Sequence, residues 1–256
     1  MAKVKPFELH QNSTTMEIQK NFLRNVPIKC FLVLTFLLLT LLPSQLAAQQ
    51  ADYGNTGRYA QDNAALPSPK KGEKRVVFLG NSITELWMNT HPDFFKSHGF
   101  IPRGISGQTS YNFLLRFRED VVKLHPYLVI INAGTNDVAE NSCTYREELT
   151  IGNIISMVDI AKANKIKVIL TSVLPAARFG WRKEITDAPA KIAALNARIK
   201  AYAAAHKIPY VDYFTPLVDT DGKTLKPQYS NDGVHPTAAG YDIMEPIILL
   251  AIKKAL

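Results

Sequence analysis

Residues 75–87 read RVVFLGNSITELW: four apolar residues in succession, a glycine, then a stretch whose apolar residues recur at helical spacing. An uninterrupted apolar run suits a strand covered on both faces, because a strand with one wet face alternates. Gly80 permits a tight turn, and Ser82 then opens a helix. A buried strand that runs straight into a helix is the first half of a β-α-β unit. The same pattern repeats along the chain. Strands are expected at RVVFL (75–79), more weakly at FIPRGI (100–105), then at YLVIINA (127–133), KVILTSV (167–173) and IPYVDY (208–213). Helical patterns fall at 84–95, 110–124, 146–164, 187–206 and 237–256. This alternation calls for right-handed crossovers and predicts an α/β protein, a three-layer α/β/α flavodoxin-like sandwich with a five-stranded parallel sheet.

Composition agrees with one such domain. The chain has 256 residues, of which 46% are hydrophobic and 20% charged, enough apolar material for a core and too much for a disordered chain. No long Pro/Gly/Ser-rich break divides residues 75–256, so these are read as the domain. The formal charge of +8 invites a nucleic-acid reading, but residues 1–48 carry five of the 30 Lys/Arg and only two of the 22 Asp/Glu. The remaining basic residues are scattered, without the dense or aromatic-interleaved stripe that follows a phosphate backbone, so nucleic acid is not expected as a partner. Cys30 and Cys143 are too few for a disulfide framework or a thiolate metal site.

Residues 30–42, CFLVLTFLLLTLL, follow Lys20, Arg24 and Lys29 and precede Pro43 and SQLAA. Such a run is short of the roughly 18–20 residues needed to cross a bilayer and has the length of a signal-peptide core. Residues 1–48 are therefore read as a leader for export to the periplasm or exterior, with cleavage near Ala47 or Ala48; an uncleaved anchor is the alternative. Met16 offers a second start. Residues 49–74 read as a polar linker or a tail packed loosely on the domain. After leader removal no membrane span is expected, and oligomeric state is not readable.

Ligands of open parallel sheets bind beyond the carboxyl ends of the strands, so the residues after each run carry the chemistry. Ser82 sits after a buried strand at a helix N-terminus, where free N–H groups and the dipole favour a developing oxyanion. A serine there can be a nucleophile; equally, Ser82 or Thr84 can cap the helix, with Glu85 completing a capping box. A nucleophilic serine requires an imidazole. The best candidate is in SNDGVHPTAAGYD (230–242), where Asp232 lies three positions before His235 across a glycine-containing turn. That spacing lets a carboxylate hold the ring Nδ1–H and leave Nε2 for the serine proton. The plain alternative is a loop into the last helix. His91, His98, His125 and His206 have no comparable partner except Asp93 beside His91. The Ser82 and Gly107 amides and the Asn136 side chain fall at strand ends on the same rim, where they can serve as oxyanion donors.

The strings GNSIT (80–84), GISGQTS (104–110), GTND (134–137) and DGVHP (232–236), in this order, resemble the blocks of the SGNH hydrolases, also called the GDSL esterase/lipase family. That family includes platelet-activating-factor-acetylhydrolase-like and carbohydrate-esterase-like members. The resemblance covers essentially the whole domain. It implies Ser82 as nucleophile, His235 as general base, Asp232 as its orienting acid, and Gly107 and Asn136 as oxyanion donors alongside the Ser82 amide. One departure stands out: the family's first block usually reads Gly-Asp-Ser, and position 81 here is Asn.

The reaction implied is two-step hydrolysis of an ester, with no metal or organic cofactor required. No long apolar insertion separates the blocks, which favours a small acyl group, acetyl above all. Trp87, Arg178, Phe179 and Trp181 are candidates to line the rim, where aromatic faces can stack on sugars; partial packing into the core is the equal alternative for these aromatics. With export, this makes an acylated carbohydrate the expected substrate. The alternatives are a lysophospholipase or platelet-activating-factor-acetylhydrolase-like lipid esterase, and a non-catalytic glycan-binding module.

Overall fold

The structure, a computed structural model, describes residues 52–256; the expected leader at 1–48, with Met16, Cys30 and the expected cleavage region, lies outside the described residues. The chain opens with a short helix, α1 (Ala60–Ala65), then β1 (Val76–Gly80), α2 (Ser82–Thr90), α3 (Pro92–His98), β2 (Ile101–Gly104) and α4 (Ser110–Asp120). There follow β3 (Leu128–Ile131), α5 (Thr135–Val138), α6 (Glu147–Ala163), β4 (Lys167–Thr171), α7 (Ala188–Ala205), β5 (Tyr210–Val211), α8 (Phe214–Leu217) and α9 (Ala238–Ala255). The five strands form one sheet in the order β2-β1-β3-β4-β5, and every neighbouring pair is parallel.

Strand alternation explains the three layers. Val77 and Leu79 point to one face with Val129, Ile131, Val168 and Leu170, and pack against Phe113 and Phe117 of α4, Ile154 and Val158 of α6 and Leu195 of α7. Val76 and Phe78 point to the other face with Leu128, Ile130 and Ile169, and meet Trp87, Phe94 and Phe95 of α2 and α3 and Tyr241, Met244 and Ile248 of α9. Both faces are dry, as the unbroken apolar runs require. The chain leaves β1 toward β2 on one side and toward β3 on the other, so the carboxyl ends of β1 and β3 flank the switch point where such sheets hold ligands.

Three expectations need correction. The helix read over 84–95 is two helices: Pro92 starts the second, and the residue before a proline is driven out of the helical region, as His91 is at φ −126, ψ 62. The strand read over 208–213 narrows to Tyr210–Val211. The segment read as a linker or loose tail is, from Asp52 onward, built onto the domain. Tyr59 is 8% exposed and its hydroxyl donates to the Gly104 carbonyl, Asn63 donates to Asp120 Oδ1 at 2.7 Å, and Arg75 donates back to the Pro67 carbonyl at 2.8 Å. Composition alone reads that stretch as solvated because its anchors are single residues among polar ones. Among the described residues no helix is long and apolar enough to cross a membrane.

Candidate active site

The turn after β1 is built by close approach. A Cβ on Gly80 would collide with the Thr84 side chain, so only glycine lets the strand turn this sharply into α2. Asn81 caps that helix, its Oδ1 accepting the Ile83 N–H at 3.0 Å. The residue that departs from the usual Gly-Asp-Ser block thus still performs an N-cap's work with a neutral amide oxygen. Ser82 and Thr84 do not cap, and Glu85 closes no capping box; it reaches across to Ser106 instead.

Ser82 and His235 are 153 positions apart, and Ser82 Oγ lies 2.8 Å from His235 Nε2. On the other side of the ring, Nδ1 is 2.6 Å from Asp232 Oδ2. A carboxylate there takes the Nδ1 hydrogen, which leaves Nε2 with a lone pair facing the serine hydroxyl. The loop is prepared for this. Asp232 Oδ1 accepts the Val234 N–H at 2.9 Å and the His235 N–H at 2.8 Å, Gly233 supplies φ +80, and the buried Val234 side chain anchors the turn in the core. Partial burial raises the Asp232 pKa, but the bonds from the His235 ring and the two backbone amides outweigh it and bring the carboxyl down to about 2.

That shift has a stability consequence of definite sign. A carboxyl with a lowered folded pKa adds stability above its unfolded value of 3.8 and loses it as pH falls toward about 2. Asp232→Asn should therefore melt below the wild type at pH 6, with the gap in Tm closing as pH falls through that window; a gap that widens on acidification would contradict stabilisation of the carboxylate by these hydrogen bonds.

Gly107 and Asn136 arrive from the neighbouring strand ends. Ile105 N–H donates to the Gly80 carbonyl at 3.1 Å, which seats the β2 loop against the serine turn. Asn136 Nδ2 donates one hydrogen to the Gln108 carbonyl at 2.9 Å, so its second hydrogen remains to be directed at a ligand. Gly107 sits at φ +79, and neither its N–H nor that of Ser82 has an acceptor among the described residues. The next residue, Asp137, is buried. Burial raises its pKa, while bonds from Ser110 N–H, Ser110 Oγ (2.5 Å) and Thr150 oppose the rise.

Beneath this rim lies a support that the sequence did not disclose. Arg116 and Asp120 are both 0% exposed and pair at 2.9 Å. Arg116 also donates to the carbonyls of Gly80 (2.9 Å) and Arg103 (3.0 Å) and to Gln108 Oε1 (2.6 Å), joining the serine turn to the Gly107 loop. An Arg and an Asp four apart on a helix usually mark a solvated face, so spacing alone hides this pair. Glu85 has only the spacing of a capping acid in the sequence, and nothing there marks Asn141. Asn141 donates to the Gly107 carbonyl at 3.3 Å and accepts from Trp181 Nε1 at 2.9 Å.

Of the four candidate rim residues, two are in the core. Trp87 is 2% exposed, stacked between Phe94 and Tyr241, with its Nε1 donating to Glu245; it lies on the sheet-facing side of α2. Phe179 is 0% exposed and packs under Trp181 at 5.4 Å between centroids. Trp181 is 45% exposed, and its ring centre is 6.0 Å from that of His235. Arg178 is exposed on the same loop.

His91 pairs with Glu245 at 2.7 Å and not with Asp93. With Asp242 these form the described group whose donor atoms stand close enough for a metal ion, yet Glu245 Oε1 already accepts from both His91 and Trp87. The cluster reads as a clasp between α2 and α9. Cavity size does not locate the chemistry: a cavity of about 490 Å³, lined by Lys165, Lys167, Ile208 and Lys254 among others, opens at the amino ends of β4 and β5, opposite Ser82.

Fold and geometry together define the class, an α/β protein with a Ser-His-Asp constellation at the carboxyl ends of a parallel sheet. The chain belongs to the GDSL-like lipase/acylhydrolase family, whose sequence profile matches residues 78–243, and is thereby an ester-hydrolysing enzyme. It is 67% identical to a GDSL-like lipase from Bacteroides thetaiotaomicron VPI-5482, over 80% of this chain and 100% of that one, with a TM-score of 0.79. It is 64% identical to a Bacteroides fragilis NCTC 9343 protein assigned to the acylhydrolases, over 80% of this chain and 99% of that one, again at TM-score 0.79. An acetylxylan esterase from Geobacillus stearothermophilus shares the fold at 18% identity, over 69% of this chain and 92% of that one, with a TM-score of 0.56. Among curated proteins none matches the chain.

Proposed function

We propose that the protein is a serine esterase that removes small acyl groups, acetyl above all, from carbohydrate. The observation that carries the mechanism is the 2.8 Å approach of Ser82 Oγ to His235 Nε2 with Asp232 across the ring. His235 takes the hydroxyl proton as Ser82 attacks the ester carbonyl. The Ser82 and Gly107 amides and Asn136 Nδ2 hold the tetrahedral oxyanion, and His235 then protonates the departing alcohol. Water, activated by the same imidazole, attacks the acyl-serine and frees the carboxylic acid. Asp232, charged down to about pH 2, stabilises the imidazolium formed in each half.

Trp181 is what favours a sugar. It is a half-exposed indole beside His235, held by a hydrogen bond to Asn141 and backed by Phe179, and so is ordered before substrate arrives. A pre-ordered aromatic face suits the C–H face of a pyranose at low entropic cost. Neither Ser82 nor His235 lines the cavities of about 490, 450 and 360 Å³, and no long apolar insertion separates the sequence blocks to build an acyl channel, which supports a short acyl chain. The export leader expected at 1–48 suits an extracellular or periplasmic polymer as substrate.

The test is a panel of p-nitrophenyl esters from acetate to laurate, followed by acetate release from acetylated xylan, pectin and acetylated sialosides. The highest kcat/KM is expected for acetate; a maximum at octanoate or longer favours the lipid-esterase reading. Trp181→Ala should raise KM for an acetylated oligosaccharide by roughly fivefold, with kcat on p-nitrophenyl acetate changed less, because one lost stacking contact is worth about 1 kcal/mol. An equal loss on both substrates would remove Trp181 from sugar binding.

A further inference from the structure

We propose that Glu85 is a positioning residue for the oxyanion loop, holding the Ser106–Gly107 segment so that the Gly107 N–H stays aimed at the reacting carbonyl. This rests on Gly107 acting as an oxyanion donor. Gly107 has a positive φ and no atom within 4 Å of where a Cβ would stand, so nothing in its own residue type or packing keeps its peptide from turning over. The lock comes from outside. Glu85 Oε2 accepts both the Ser106 N–H at 2.8 Å and the Ser106 hydroxyl at 2.5 Å. On the far side of Gly107, its carbonyl accepts from Asn141, and the Gln108 N–H returns to the Ile105 carbonyl at 3.3 Å.

The placement of Glu85 distinguishes this from an ordinary first-turn acid. It stands one helical turn from Ser82 on α2, so one rigid element sets both the nucleophile and the loop bearing the donor. Had Glu85 closed a capping box with Ser82, it would have consumed the Ser82 N–H; by reaching to Ser106 it leaves that donor open. Its other oxygen meets Arg58 at 3.3 Å, which ties the carboxylate to the segment preceding α1. An acid needed only for the helix dipole requires none of these partners.

The experiment compares full-chain Glu85→Ala, Glu85→Gln and Ser106→Ala on p-nitrophenyl acetate. Inhibition by phenylboronic acid, whose tetrahedral adduct places an oxygen where the oxyanion forms, and thermal unfolding are measured alongside. Glu85→Ala should lower kcat about 10- to 100-fold with KM within about twofold, since a displaced donor costs less than a deleted one. Boronate affinity should fall by a similar factor. Glu85→Gln should recover part of the loss, because its amide oxygen still accepts from Ser106, and Ser106→Ala, which keeps the backbone bond, should fall between wild type and Glu85→Ala. Should Glu85→Ala fail to fold, the other two decide. Unchanged kcat and boronate affinity in the folded variants, or losses that track only the melting temperature, overturn the proposal. Labelling Ser82 with a fluorophosphonate separates the two levels. Labelled wild type with unaffected variants removes only the role of Glu85, whereas an unlabelled Ser82 removes the mechanism and this role together.

Discussion

Ser82→Ala should lower kcat on p-nitrophenyl acetate by roughly 10^4- to 10^6-fold while leaving KM nearly unchanged, the pattern for a group whose contribution is made in the transition state. Among the described residues the hydroxyl is bound only to His235 Nε2, so its removal orphans no buried group and the variant should melt with the wild type. His235→Ala should fall by a comparable factor, and the double variant little further, because a nucleophile without its base and a base without its nucleophile are equally idle. Mass spectrometry after fluorophosphonate treatment should place one adduct on Ser82 in the wild type and none in Ser82→Ala. Full esterase activity in both single variants would end the case for this site.

Arg116→Met should cost about 3–5 kcal/mol of folding stability, read as a lower urea midpoint, because it leaves a buried carboxylate without its counter-charge. Asp120 would keep only the bond from Asn63, and the carbonyls of Gly80 and Arg103 and the side chain of Gln108 would lose their shared donor. Against a typical total of about 5–15 kcal/mol, the loss should be visible as reduced soluble yield at 37 °C. Adding Asp120→Asn should recover part of the deficit by removing the unpaired charge; the remainder reports the backbone carbonyls. Recovery to wild-type stability would mean that those carbonyls find other donors and that Arg116 is only a charge partner. A variant as stable as the wild type would show that the interior at this position is wet.

Much of the fold was legible because it rests on local patterns. The apolar runs before Gly80, Ala133 and Ser172 are strands because a two-sided dry sheet needs them, and the β2-β1-β3-β4-β5 order is one a right-handed β-α-β chain commonly takes. Failures occurred where a local signal had two readings. The stretch after Ala51 is polar in composition, yet Tyr59 and Asn63 fix it to β2 and α4 through the hydrogen bonds of two side chains that no average detects. Glu85 has the spacing of a capping box but its better partner, Ser106, lies on another element.

The candidate site divides the same way. Ser82, Gly107, Asn136 and His235 stand at positions that strand ends and turn chemistry pick out from the string. Trp87 and Trp181 look alike in that string, each an indole near a presumed rim, and they part only when helix α2 turns one into the sheet while a loop leaves the other beside His235. Residue order by itself determined the elements, their alternation and the sheet edge at which ligands gather, because hydrophobic periodicity and turn preference act over a few neighbours. The three-dimensional packing alone decided which groups 153 positions apart meet, which charges are buried and which aromatic stays wet, because those depend on the faces that distant elements turn toward one another.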